Sequence, residues 1–156
     1  MTGCNSLLVI DIDGCTDYKL LNKTLDELEL PISYEWVMTS GSGSGFHIFV
    51  YADKFNIQSD GDGEVTGEHV VTSFMPNDGY LQRFDKMEFL WKTHVVLPPS
   101  LHHTGNRYEF LNCRIPRALP QRIKQVGLFN LVRKHCDAKF VEGRDGYGKR
   151  VSSRQP

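Results

Sequence analysis

Short apolar stretches separated by turn residues run along this chain, and their spacing predicts both helices and strands. The run that begins at Leu7, LLVIDID, predicts a strand over 7–12, and leucines at helical spacing predict a helix near 17–28. Further strands are predicted over 34–39, 46–52, 70–74, 87–91, 93–97 and 107–112, with a helical turn at 78–84 and a helix at about 119–135. The strand-helix-strand-strand order over 7–52 predicts an α+β fold.

Two acids end the first apolar run one residue apart. Side chains at i and i+2 of a strand project from the same face, so Asp11 and Asp13 are expected to point the same way. Two carboxylates at that spacing repel unless a cation lies between them, and Mg²⁺ prefers hard oxygen ligands together with phosphate oxygens. The pair is a candidate metal platform. The alternative is a strand that runs into a turn, because Asp, Gly and Thr are common turn residues.

A serine- and glycine-rich loop, SGSGSGFH, ends on His47 just before the apolar run IFVY. Its glycines allow backbone N–H groups to approach an anion, and the hydroxyls of Ser42 and Ser44 add donors. His47 can donate to a phosphate oxygen or act on a proton. The alternative is a flexible hairpin loop without a ligand, and the lysine of a P-loop is missing.

A third segment combines an acid with a rigid turn. Glu88 is the acid of the alternating stretch MEFLWKTHVVL, and Pro98-Pro99 fixes the chain before the polar loop HHTGNRY. Glu88 could join Asp11 and Asp13 at a metal. The alternative for an isolated glutamate is a solvent-facing position on a half-buried strand.

In this order the three segments resemble the archaeo-eukaryotic primase superfamily, and most closely its Prim-Pol branch of bifunctional primase-polymerases from plasmids, phages and mobile elements. The family's motifs are a DxD or DxE strand, an sGxH segment before a strand, and an acid on a strand ahead of a V-V-x-P-P-S-x-H-x-T-G-x-x-Y stretch. The matching segments are Asp11-Ile12-Asp13, Ser44-Gly45-Phe46-His47, and 95–108. The resemblance implies a β-α-β-β catalytic core like that of RNA-recognition motifs, extended by further antiparallel strands and a C-terminal helix.

The resemblance also implies a template-dependent nucleotidyl transferase that is a DNA primase and polymerase. The implied catalytic residues are Asp11, Asp13, Glu88 and His47, and the three acids would hold two Mg²⁺ or Mn²⁺ ions. The implied nucleotide-binding residues are Ser42, Ser44, Gly45, His47, His102, Thr104, Arg107 and Tyr108. The implied partners are a single-stranded DNA template and an NTP or dNTP, with a helicase or an N-terminal segment acting in trans as further candidates.

The third acid departs from the family pattern, in which an Asp usually precedes a glycine-rich turn. Glu88 is assigned by its position, and Asp85 is the alternative. Family members also carry an αβ portion before the first motif, whereas six residues precede Leu7 here. We therefore expect a minimal core, a fragment, or half of a split protein.

Charge is distributed unevenly along the chain although the net charge is only −1. Through residue 113 there are 16 acids and 7 Lys or Arg, and from residue 114 onward there are 11 Lys or Arg and 3 acids. A cationic segment of this kind favours contact with a phosphate backbone, and the alternative is a solvated helix face with a disordered end. We predict a catalytic core over 1–140 and a basic, disordered tail over 141–156.

Composition restricts the setting of the protein. No stretch approaches the roughly 18 apolar residues of a membrane span, and no signal peptide opens the chain. The four cysteines form no CxxC pair, so neither a zinc site nor a disulfide framework is indicated. We expect a cytoplasmic protein without a membrane partner, of bacterial, archaeal, phage, plasmid or viral origin.

Three other functions fit parts of the pattern. A non-catalytic module could stack single-stranded bases on Phe46, Phe49 and Tyr51. A replication-initiator endonuclease would use a tyrosine beside two histidines separated by one residue, whereas His102 and His103 are adjacent. A catalytically silent half of a split primase is the third alternative.

Overall fold

One antiparallel sheet carries the site-bearing segments of the chain. The computed structural model describes residues 7–39, 43–52, 71–76, 84–90, 95, 97–98, 100–144 and 150–152. Its elements are β1 (Leu7–Asp13), α1 (Tyr18–Glu27), β2 (Val37–Thr39), β3 (Gly45–Tyr51), β4 (Val71–Pro76), β5 (Lys86–Leu90), β6 (Glu109–Phe110), α2 (Gln125–His135), β7 (Cys136–Arg144) and β8 (Arg150–Ser152). Within these ranges the strand order is β6-β2-β3-β1-β5-β4-β7-β8, with every neighbouring pair antiparallel. The predicted α+β class is confirmed.

Strand β1 lies inside the sheet and has one apolar face and one face that carries acids. Its even-numbered side chains, Leu8, Ile10 and Ile12, are fully buried in the main core. Its odd-numbered side chains from Val9 onward lie on the opposite face, as the two-residue period of a strand requires. The strand therefore fixes which face of the sheet is hydrophobic core and which face carries Asp11 and Asp13.

Both helices contribute to the core on the face of Leu8 and Ile10. Helix α1 begins after Asp17, whose carboxylate accepts a hydrogen bond from Lys19 N at 2.8 Å, as an N-cap residue does. Its leucines pack against the sheet at the spacing that the sequence shows. The prediction of a helix near 17–28 is confirmed to within one residue at each end.

Helix α2 begins six residues later than the sequence predicts. The chain at Gln121 to Ile123 hydrogen-bonds to the end of β3 in place of continuing as a helix. Tyr51 N donates to Gln121 O and Ile123 N donates to Tyr51 O, both at 2.8 Å. This parallel bridge satisfies polar groups of the backbone at Tyr51, so the helix starts only at Gln125.

Other predicted elements differ in length. The strand predicted over 34–39 is limited to β2, and the one predicted over 107–112 is limited to the two residues of β6. Of the helical turn predicted at 78–84, residues 78–83 lie outside the described residues and Phe84 is in no helix. The described residues of the strand predicted over 93–97, Val95 and Leu97, are in no strand.

Part of the segment predicted to be a disordered tail forms strands. Residues 141–144 belong to β7, which pairs with β4, and 150–152 form β8, which pairs with β7. The basic composition predicted solvation, yet a sheet edge supplies backbone partners to any sequence that can extend along it. The division of the chain at residue 140 stays a prediction. No helix within the described ranges is long and apolar enough to cross a membrane.

The face opposite the helices has a smaller apolar cluster of its own. Val9, Met38 and Phe49 are buried there, and Trp36 and Tyr108 pack against them. Trp36 Nε1 donates to Ala118 O at 2.7 Å, which ties the 100–120 segment to this face. The loop that contains the third motif is thus held on the same side of the sheet as Asp11 and Asp13.

We expect Leu128→Ala to lower the free energy of unfolding by about 2–5 kcal/mol, because Leu128 is fully buried where α2 packs in the core. The matched control is Val126→Ala in the same helix, which should change stability by less than about 0.5 kcal/mol because Val126 is 57% exposed. Urea unfolding followed by circular dichroism measures both. Equal losses in the two variants would contradict the observed orientation of α2.

Candidate active site

Three strands bring the functional side chains into one row. In the antiparallel register, Asp11 on β1 lies opposite His47 on β3 and opposite Glu88 on β5. One step along β1, Asp13 lies between Gly45 and Lys86. All of these positions share the face opposite the helices, so residues far apart in sequence become neighbours.

The three carboxylates form a compact acidic group. Oxygen atoms of Asp11, Asp13 and Glu88 all lie within 4.8 Å of one another, and Glu88 is buried. At an effective dielectric constant of about 20, two unit charges about 5 Å apart repel by about 3 kcal/mol. The group is therefore suited to a divalent cation, which would remove this repulsion.

Two cationic or cation-forming side chains border the acids. His47 Nε2 lies 3.2 Å from Asp11 Oδ1. Lys86 Nζ lies 3.2 Å from Glu88 Oε1 and 3.7 Å from Asp13 Oδ2. Lys86 was not singled out from the sequence, although its spacing of two residues from Glu88 is the same signal that linked Asp11 to Asp13.

Two buried atoms in this row make no hydrogen bond with the described part of the chain. They are Asp11 Oδ1 and His47 Nδ1. His47 Nε2 lies near Asp11 Oδ1, but the two atoms are not aligned for a hydrogen bond. Buried polar atoms of this kind normally have a partner. A carboxylate oxygen fits a hard cation and an imidazole nitrogen fits a phosphate oxygen, so the residues present suit Mg²⁺ or Mn²⁺ together with a phosphorylated ligand.

The acid cluster changes the acidity of its members. Burial raises the pKa of Asp13, and the negative charges of Asp11 and Glu88 add to that effect while Lys86 and His47 oppose it. Burial by itself would lower the pKa of Lys86. The hydrogen bond to Glu88 and the charges of Glu88, Asp13 and Asp11 outweigh burial, so the pKa of Lys86 is raised.

The end of the serine-glycine loop lies beside the acids. Gly14 N, directly after β1, donates to Ser44 O at 3.0 Å, and Gly45 is opposite Asp13. Gly43 has φ +80°, a left-handed conformation that favours glycine. Ser44, Gly45 and His47 therefore lie beside the carboxylate group, while Ser42 lies outside the described residues.

The third-motif loop is a compact turn with its own hydrogen bonds. Thr104 N donates to His102 Nδ1 at 3.2 Å, and the ring of His102 lies 5.7 Å from that of Tyr108 between centroids. Because Nδ1 accepts this bond, Nε2 of a neutral His102 carries the proton and is a donor. A Cβ built on Gly43 would lie 3.9 Å from Asn106 Nδ2, so this turn adjoins the serine-glycine loop. Arg107 is exposed in the same turn.

Asp85, the alternative third acid, lies outside the three-carboxylate group. Its backbone N donates to Asp13 O at 2.7 Å, and its carboxylate lies over Gly14. Among the described acids, the structure thus groups Glu88 with Asp11 and Asp13.

Comparison with protein families agrees with this geometry. The model of the Prim-Pol family, described as bifunctional DNA primase/polymerase, N-terminal, matches residues 1–122. The chain belongs to the Prim-Pol family. The match includes β1 to β6 and all three sequence motifs, and it ends just before α2 of this Prim-Pol chain. Searches of curated proteins and of solved structures found no match.

We expect Asp13→Asn to stabilise the metal-free protein at pH 8, because it removes a repelled, partly buried charge. The folded-state pKa of Asp13 lies above its ordinary value of 3.8, so ionisation destabilises the fold as pH rises. The gain should therefore shrink as pH falls through that raised pKa. Thermal unfolding in EDTA at several pH values measures it.

The control for this variant is Asp26→Asn, which removes an exposed acid of α1. It should leave the pH dependence of the unfolding temperature close to that of the parent protein. A loss of stability in Asp13→Asn at pH 8 would contradict this account. It would mean that attraction of the Asp13 carboxylate to Lys86 and His47 outweighs its burial and its repulsion by Asp11 and Glu88.

Proposed function

We propose that this Prim-Pol chain is a template-dependent nucleotidyl transferase that extends or starts DNA strands with the help of divalent cations. The observation that carries the proposal is the group of three carboxylates within 4.8 Å on adjoining strands, in a chain of a primase-polymerase family. The substrates would be an NTP or dNTP and a single-stranded DNA template.

The carboxylates of Asp11, Asp13 and Glu88 would hold Mg²⁺ or Mn²⁺. Such ions, when bound in a pair, supply orientation of the primer 3′-hydroxyl and stabilisation of the attacking and leaving oxygens in an in-line displacement. The protein supplies the rigid placement of the ligands. Asp11 and Glu88 are locked opposite each other by the β1–β5 register, so little rearrangement is needed to present both.

The triphosphate of the nucleotide would lie along the end of the serine-glycine loop. Ser44 and Gly45 follow a left-handed glycine, and Ser42 and Ser44 would add hydroxyl donors. His47 would donate to a phosphate oxygen from Nδ1 while its Nε2 faces Asp11. The triphosphate would then lie next to the three carboxylates, where the nucleotidyl group has to be transferred.

The third-motif turn would complete the nucleotide site from the side. Its position against the serine-glycine loop supports contacts from Nε2 of His102, the hydroxyl of Thr104 and the guanidinium of Arg107. Tyr108 packs against the apolar cluster on the same face and would hold His102 in place.

A template strand would be attracted by the basic segment from residue 114 onward. Arg114, Arg117 and Arg122 are exposed in this segment. Their charge is the type that contacts phosphate backbones without reading sequence. A helicase or an N-terminal segment acting in trans stays a prediction.

The base-stacking alternative is weakened by burial. Phe46 is 3% exposed in the main core, and Phe49 is 2% exposed under Trp36. Single-stranded bases stack on aromatic faces that solvent can reach. Of the three aromatics, only Tyr51 is not buried.

We expect the double variant Asp11→Asn, Asp13→Asn to reduce primer extension by about 100-fold or more, because metal ligation contributes several kcal/mol to the transition state. Extension of a labelled primer on a single-stranded template with Mg²⁺ or Mn²⁺ measures this. The control, Asp85→Asn, removes a neighbouring acid outside the carboxylate group and should retain extension. A folded double variant with undiminished extension would refute the metal role of these acids.

A further inference from the structure

Lys86 contacts two of the three carboxylates proposed to bind metal. It lies on β5 two residues before Glu88, on the same face of the sheet, and opposite Asp13 in the register. Its ammonium is 3.2 Å from Glu88 Oε1 and 3.7 Å from Asp13 Oδ2. Both partners are less exposed than Lys86, whose side chain is 41% exposed. The ammonium thus enters the acid group from its solvent side.

The ammonium and a divalent cation would compete for the same oxygens. Mg²⁺ binds carboxylate oxygens at about 2.0–2.1 Å and demands a near-octahedral set of ligands. An ion that bridged Asp13 and Glu88 would have to lie where the Lys86 ammonium now lies or directly against it. Two cations in that space would repel, whereas one relieves the repulsion among the acids.

We infer that Lys86 is a positioning residue whose ammonium holds Asp13 and Glu88 together in the metal-free protein and is exchanged for a divalent cation when the site is loaded. The flexible four-carbon stem allows the ammonium to move into solvent, to which it is already partly open. The inference rests on the metal role in the proposed function, and it does not depend on polymerisation.

Metal affinity gives the most direct test. Mn²⁺ binding to the full chain is measured by electron paramagnetic resonance for the parent protein, Lys86→Met and Lys86→Arg. Lys86→Met keeps the stem and removes the competing charge, so we expect it to bind Mn²⁺ roughly three- to tenfold more tightly. Lys86→Arg keeps a cation and should restore an affinity close to that of the parent.

The matched control is Lys124→Met, which removes the same charge from an exposed pair with Glu29. Its Mn²⁺ affinity should not change, because Lys124 pairs with an acid outside the carboxylate group. Equal or weaker Mn²⁺ binding by Lys86→Met, or the same gain in Lys124→Met, would overturn the exchange. A parent protein that binds no Mn²⁺ would overturn both the exchange and the metal role. Tighter binding by Lys86→Met in a protein without primer extension would support the exchange and count against the proposed polymerase alone.

A second measurement needs no variant and so does not depend on folding of Lys86→Met. Lysines of the parent protein are acylated briefly in EDTA and in Mn²⁺, and labelling is read by mass spectrometry. We expect labelling of Lys86 to rise severalfold with Mn²⁺, because its ammonium leaves two carboxylates, while labelling of Lys124 stays constant. Unchanged or reduced labelling of Lys86 would refute the exchange.

Discussion

The two-sided character of β1 is the constraint on which the rest of the structure depends. Leu8, Ile10 and Ile12 must be buried together, which fixes the strand against the helices and leaves Asp11 and Asp13 on the opposite face. A shift of one residue in register would place both carboxylates in the core, so the fold and the site are specified by the same hydrophobic pattern. Because β1 is paired on both edges, the acids cannot move apart without breaking the sheet.

Placing three carboxylates together creates electrostatic repulsion. In the function we propose, a bound divalent cation relieves that repulsion. Three acids within 4.8 Å raise the free energy of the metal-free protein, and His47 and Lys86 offset part of the repulsion. Neither side chain supplies the two charges of a metal ion. A site held in this state by a rigid sheet gains more from a divalent cation than an open loop would, since the ligands are already positioned.

Sequence reasoning reached the features that are set locally. The alternation of β1, the leucine spacing of α1 and the order of the motifs led to the α+β class, the acid pair and the position of His47. It failed where distant contacts decide. The start of α2 depends on a bridge to Tyr51, and the strands after residue 135 depend on the edge offered by β4.

Pairing across strands also decides points that local patterns leave open. Glu88 is assigned in the sequence by its position alone, and the β1–β5 register places it opposite Asp11, whereas Asp85 lies outside the carboxylate group. The spacing of Lys86 from Glu88 is visible in the sequence, whereas its contact with Asp13 depends on the pairing of β5 with β1. Phe46 is a stacking residue only in the non-catalytic alternative, and period-two alternation from His47 places it on the core face.

The central claim is that Asp11, Asp13 and Glu88 form one metal site, and anomalous diffraction from a crystal soaked in Mn²⁺ tests it most directly. The account predicts anomalous density within ligand distance of these three carboxylates. Density at Asp85 in place of Glu88, or no density in this row at a Mn²⁺ concentration that supports activity, would contradict it.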